Sequence, residues 1–165
     1  MKRVLFLLFL LFFTASCKEK TKEVREKPEA SQEIRKVHLE DTRFGKTLWT
    51  MEAERIEEKH DTTWVYAPKI YFGGERNRTS TLTADSGLYV PYTGDMVAYG
   101  DVYVETEEGA KLWTSELEWR AKEEKIFTEK EVLIKKEGKT IRGKGLTSDP
   151  NLKNIVIHGK VEGYE

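Results

Sequence analysis

One segment, running from Leu82 to Val104, returns along the chain and limits the possible folds more than any single residue does. Leu82, Leu112 and Ile141 fall into step, and so do Val102, Val132 and Val161, at intervals of 30 and then 29 residues. A looser copy opens at Leu48-Trp49-Thr50 and closes on Pro68-Lys69-Ile70. Self-similarity at a fixed period of this size means one supersecondary unit used repeatedly, each copy burying its apolar face against the next.

The second half of each unit alternates with the two-residue period of a strand, in which successive side chains point to opposite faces. Met96, Ala98, Gly100, Val102 and Val104 share a face. The matching sets are Trp64, Tyr66, Pro68, Ile70 and Phe72; Ile126, Thr128, Lys130, Val132 and Ile134; and Ile155, Ile157, Gly159, Val161 and Gly163. Stacked, they form apolar columns: Trp64 over Met96, Ile126 and Ile155, and Ile70 over Val102, Val132 and Val161. Between the columns runs the row Pro68, Gly100, Lys130 and Gly159, small or awkward residues suited to a bulge or a turn.

Strand pattern begins at Ile34. Residues 34–40 read as a first strand with Val37 and Leu39 on one side, and the chain then turns at Gly45. Further turns are expected at Gly73-Gly74, at 91–94, at 107–109, at Gly138 and at Pro150-Asn151. The domain is therefore all-β, with no convincing helix and with residues 53–59 the best candidate for a short exception. Antiparallel strands with one apolar face must curl to hide it. A closed barrel, a sandwich and a sheet folded into an open trough all satisfy that requirement.

A chain of 165 residues, 38% hydrophobic and 35% charged, can build one core under a heavily solvated exterior. Its formal net charge of −1 argues against a nucleic-acid binder, which needs a basic face to displace phosphate counterions. Residues 1–16 read as an export leader: Lys2 and Arg3, an apolar run from Val4 to Phe13, and small residues before Cys17. That run is too short to span a bilayer comfortably, which takes roughly 20 apolar residues. Thr14-Ala15-Ser16-Cys17 resembles a lipobox, which makes Cys17 the expected lipidation site; an uncleaved anchor is the alternative. Residues 17–33, rich in Lys and Glu, have too little apolar surface to offset the entropy of ordering and are expected to be a tether. The domain proper is expected over residues 34–165.

Little in the chain points to catalysis. His38, His60 and His158 lie in three separate segments without ligand spacing. Ser86 beside Asp85 has neither a partner base nor a strand-to-helix elbow, and no glycine loop cradles a phosphate. No cofactor or metal is implied and no enzyme activity is expected. Asp85, Ser115 and Ser148-Asp149 fall near equivalent repeat positions, which suits strand-end hydrogen bonding.

The motifs in order carry a resemblance. Val37-His38-Leu39, Gly45, Trp49-Thr50-Met51-Glu52-Ala53, Tyr66-Ala67-Pro68, Leu82-Thr83-Ala84-Asp85, Gly100-Asp101-Val102, Leu112-Trp113-Thr114 and Ile141-x-Gly143-x-Gly145-Leu146 together resemble the OstA-like repeats of the LptC family, the membrane-attached periplasmic components of lipopolysaccharide export. The resemblance implies a twisted, V-shaped antiparallel β-jellyroll whose apolar groove carries lipid A acyl chains. It further implies two partners, the inner-membrane lipopolysaccharide ABC transporter and the periplasmic bridge protein LptA, joined at the sheet edges. The candidate groove residues are Met96, Ala98, Val102, Val104, Leu112, Leu117, Ile126, Thr128, Val132, Ile134 and Ile157. The candidate partner edges carry Ile34, Val37 and Leu39 at one end and Ile155, Ile157 and Val161 at the other. Location at the periplasmic face of the inner membrane, held by lipid on Cys17 in place of the family's usual transmembrane helix, completes the expectation.

Overall fold

Residues 32–74 and 76–164 are described by the computed structural model, and the leader, Cys17 and nearly all of the expected tether lie outside the described residues. Alternating apolar residues between turn signals form strands throughout: β1 Gln32–Arg43, β2 Lys46–Lys59, β3 Thr62–Tyr66, β4 Lys69–Phe72, β5 Ser80–Thr83, β6 Ser86–Val90, β7 Asp95–Thr106, β8 Lys111–Arg120, β9 Lys125–Lys136, β10 Lys139–Ser148, β11 Ile155–Ile157 and β12 Val161–Tyr164. Among the described residues there is no helix. Every pairing is antiparallel, in one sheet that starts with β1 on β2 and ends with β11 and β12 on β10. Those two ends do not pair with each other, so the sheet is no closed barrel.

The sheet is folded across its strands into two facing leaves. The long strands β7, β8, β9 and β10 run through both leaves, and short strands share the neighbouring places. β7 pairs with β6 over Asp95 to Tyr99 and with β5 over Tyr103 to Thr106. β2 divides itself likewise between β4 and β3. At the boundary the register slips, between Tyr99 and Val102, between Trp113 and Glu118, and between Lys144 and Leu146. A bulge bends its strand and tightens the local twist, and bulges aligned across neighbouring strands make a crease. Asp85, Gly100, Ser115, Lys130, Gly145 and Lys160 mark it at intervals of 15 residues. The 30-residue repeat is thus two passes over one crease.

The crease also explains which strands alternate cleanly. β7 buries Met96, Ala98, Val102 and Val104 in one phase on both leaves, and β9 does the same with Ile126, Thr128, Val132 and Ile134. β8 changes phase as it crosses, burying Leu112 on one leaf and Leu117 and Trp119 on the other.

Four expectations are corrected. Residues 53–59 are not a helix but the far half of β2, held between β1 and β3, where Ile56 is buried against Val65. Trp64 does not join the inner column: the chain breaks at Ala67 (φ 49°), the phase shifts by one, and Val65 points inward while Trp64 lies outside near Tyr99. Lys130 lies on the outside of the crease, its Nζ 3.4 Å from Glu116, so the large residue in a row of small ones never has to fit the interior. Val161, placed in a column with Val132, is 53% exposed, because β12 is a short edge strand beyond the reach of the facing leaf.

Candidate functional site

The space between the leaves is the candidate site. Of the expected groove residues, ten of eleven are buried there, and Ile157 is half-buried at the β11 edge. Met51, Ile70, Phe72 and Leu82 face them from β2, β4 and β5, with Trp119 from β8 and Leu146 from β10. Ile70 and Phe72 already stand on the inner face by simple alternation, whereas Trp119 and Leu146 lie beyond register shifts that reverse the phase of β8 and β10 and mask the two-residue period. Leu117 and Trp119, two positions apart on β8, were the available signal.

Aromatic rings bridge the leaves. Trp49 meets Tyr89 edge-on at 5.4 Å between ring centres, and Phe72 packs on Trp119 at 5.0 Å. Offset and edge-to-face pairs of this kind add to the burial of the rings themselves. Burial pushes the Tyr89 phenol up from its ordinary value, with Asp41 nearby adding to the shift, so the ring stays neutral at any ordinary pH. The indole N–H groups of Trp49 and Trp119 and the hydroxyls of Thr50, Ser80 and Ser148 are buried without a hydrogen-bond partner among the described residues. Native structures leave few such groups, and here several border one apolar interior.

That interior is nearly full. A cavity of about 20 Å³ remains, bordered by Met51, Val65, Leu82, Met96, Leu117 and Trp119. It could hold roughly one water molecule, far less than an acyl chain. A wider hollow of about 1020 Å³ lies along the crease beside Tyr103, Trp113, Leu133, Arg142, Lys144 and Lys160. Charged on its rim and open, it lacks the dry lining that hydrocarbon requires.

The free ends of the leaves are turns, and polar groups join them. Arg43, at the end of β1, donates from Nη2 to the carbonyl oxygen of Thr93 at 3.0 Å and from Nη1 to that of Ala121 at 3.4 Å. Lys46 meets Glu124 at 3.1 Å. Farther along, Lys136 donates to the Leu152 carbonyl at 2.9 Å and Lys153 meets Glu108 at 2.8 Å. The proposed edge residues lie on β1, β11 and β12, strands that each pair with a single described neighbour.

With this geometry in hand, a family match decides the assignment: the family described as lipopolysaccharide-assembly, LptC-related, matches residues 4–165. The chain belongs to the LptC family. It is accordingly a component of lipopolysaccharide transport in the cell envelope. Among solved structures the chain is similar to LptH, the LptA-homologous periplasmic component of the lipopolysaccharide transport device of Pseudomonas aeruginosa, with 11% identity and a TM-score of 0.57 over 71% of this chain and 94% of that one. At that identity the likeness shows the fold, an LptA-type jellyroll, and nothing finer. No curated protein matches the chain in sequence.

Proposed function

We propose that the chain is a membrane-anchored adaptor that receives lipopolysaccharide from the inner-membrane ABC transporter, shelters its acyl chains between the two leaves, and passes it to an LptA-like bridge protein. The observation that carries this reading is the continuous apolar interior crossing β4, β5, β7, β8, β9 and β10 within an LptC-family chain. Its residues Met96, Ala98, Val102, Val104, Leu112, Leu117, Ile126, Thr128, Val132, Ile134 and Ile157 form the acyl-chain path. Transfer from a bilayer is close to neutral in free energy, because the gain of about 0.8 kcal/mol per buried CH₂ exists on both sides. The driving work therefore comes from the transporter. Unpaired strand edges favour continuation by strand addition, with β1 toward the transporter and β11 and β12 toward the bridge. Lipid on Cys17 holds the chain at the periplasmic face of the inner membrane, with the leader over residues 1–16 removed and residues 17–33 as a tether.

Native mass spectrometry of the detergent-solubilised chain with added lipopolysaccharide tests the reading. One retained lipid per chain is expected; a chain that never retains lipid refutes it. Radiolabelled palmitate in the wild type and its loss in Cys17→Ser test the anchor.

The nearly full interior favours a second reading, a β-module with a permanently closed core that acts only through its edges. It predicts the same edge partners and no lipid.

A further inference from the structure

The interior has no room for an acyl chain as it stands, so lipid must displace something. The hairpin formed by the end of β1 and the start of β2 is the segment placed to move. Its tip crosses from one leaf onto the turns 91–94 and 121–124 of the other, where Arg43 and Lys46 make its polar contacts with the described residues. Gly94, at φ +79°, lies directly beneath the Arg43 guanidinium, where any side chain would overlap it.

Behind the tip lie Trp49, which follows on β2, and Trp119, just before the 121–124 turn; both are buried with an indole N–H that has no acceptor among the described residues. A pure hydrocarbon core has no use for them, whereas the ester, amide and hydroxyl oxygens of acylated lipid would accept from both. On the outside, Phe44 at the tip and Tyr92 on the facing turn are almost completely exposed, at 108% and 96%. Aromatic side chains held in water on either side of a seam suit contact with lipid.

We propose that the β1–β2 tip is a lid, fastened by Arg43 and Lys46, that lifts sideways to admit acyl chains carrying oxygen functions. The latch is weak by construction. It consists of one solvent-accessible ion pair and two hydrogen bonds to turn carbonyls, which individually contribute little, while the apolar interior holds the leaves together elsewhere. This inference rests on the lipid-carrying reading above and specifies how that same site is opened.

The test uses the full chain with Cys17→Ser and nitroxides on Phe44→Cys and Lys122→Cys, two exposed positions on opposite sides of the seam, together with a photo-crosslinker at Ile134 that reports interior lipid. Lipopolysaccharide is expected to add a longer nitroxide distance as Ile134 begins to capture it. Arg43→Ala is expected to populate that distance without lipid and to speed capture about tenfold, as loss of two hydrogen bonds from a closed state implies. Lys46→Glu should open the lid by repelling Glu124, and Lys46→Glu with Glu124→Lys should close it again, a rescue that general unfolding would not show. Capture at Ile134 with an unchanged distance overturns the lid and leaves the lipid-carrying reading standing. An absence of capture in the wild type and in Arg43→Ala overturns both.

Discussion

Asp85 and Gly100 share one space at the crease. The Asp85 carboxylate accepts the backbone N–H of Asp101 at 3.1 Å, and it lies where a side chain on Gly100 would have to go. Gly100 itself is held at φ +91°, a conformation that L residues rarely adopt. The widely spaced motif Leu-x-Ala-Asp and Gly-Asp-Val is therefore a single device: one carboxylate that ties down the N–H left free by the β7 bulge. A second version closes the far end. There His158 packs over Gly145 (φ +73°), donates its backbone N–H to the Gly145 carbonyl at 3.1 Å, and bonds Thr147 through Nε2 at 2.9 Å.

Gly100→Ala should destabilise the domain by about 2–4 kcal/mol through the forced left-handed conformation and the overlap with Asp85. Asp85→Ala should cost about 1.5–3 kcal/mol through the lost charge-assisted bond. Because each change removes the reason for the other, the double variant should cost less than the sum, a coupling readable in urea unfolding. Additive effects would show that the two residues do not form one unit.

Much of this was legible in the sequence, and the rest was hidden by one cause. The strands that hold their phase across the crease, β7 and β9, placed Val104 and Ile134 in the interior by simple alternation. In β8 and β10 and between β3 and β4, a bulge or a left-handed residue shifts the phase by one, and the same rule then misplaced Trp64 and passed over Trp119 and Leu146. A slip of one residue reverses every side chain beyond it, and a row of small residues announces a bend without saying which strands absorb it. Lys130 shows the limit: as a sequence position it contradicts its column, whereas at a crease its side chain turns outward to Glu116.

Leu117→Ala should enlarge the small cavity and lower stability by about 2–5 kcal/mol, the usual cost of truncating a buried leucine. Leu117 is 1% exposed and borders that cavity. Added lipopolysaccharide should recover part of the loss, since a ligand that binds only the folded state stabilises it by mass action. Urea titrations followed by tryptophan fluorescence, with and without lipid, check both statements.

Acid should loosen the surface network before it reaches the core. Hydrogen bonds from Thr47 and then Thr42 hold the Glu40 carboxyl below the ordinary glutamate value of 4.5. Tyr103 and then Lys111 do the same for Glu105. A carboxylate whose folded pKa is depressed contributes stability that is present above its unfolded value and is lost as pH falls through the folded one. Stability should therefore decline below about pH 4.5, and Thr47→Val should return the Glu40 titration toward its ordinary position in NMR. An unmoved titration would remove Thr47 as the cause.

The central claim, that lipopolysaccharide travels between the leaves, is tested most directly by comparing neighbouring positions on the same strands in cells. Photo-crosslinkers at the inward Val104, Ile126, Thr128 and Ile134 should capture lipopolysaccharide, whereas those at the outward Tyr103 and Phe127 should not. Equal capture on the two faces, or none at the inward set while export proceeds, would contradict it.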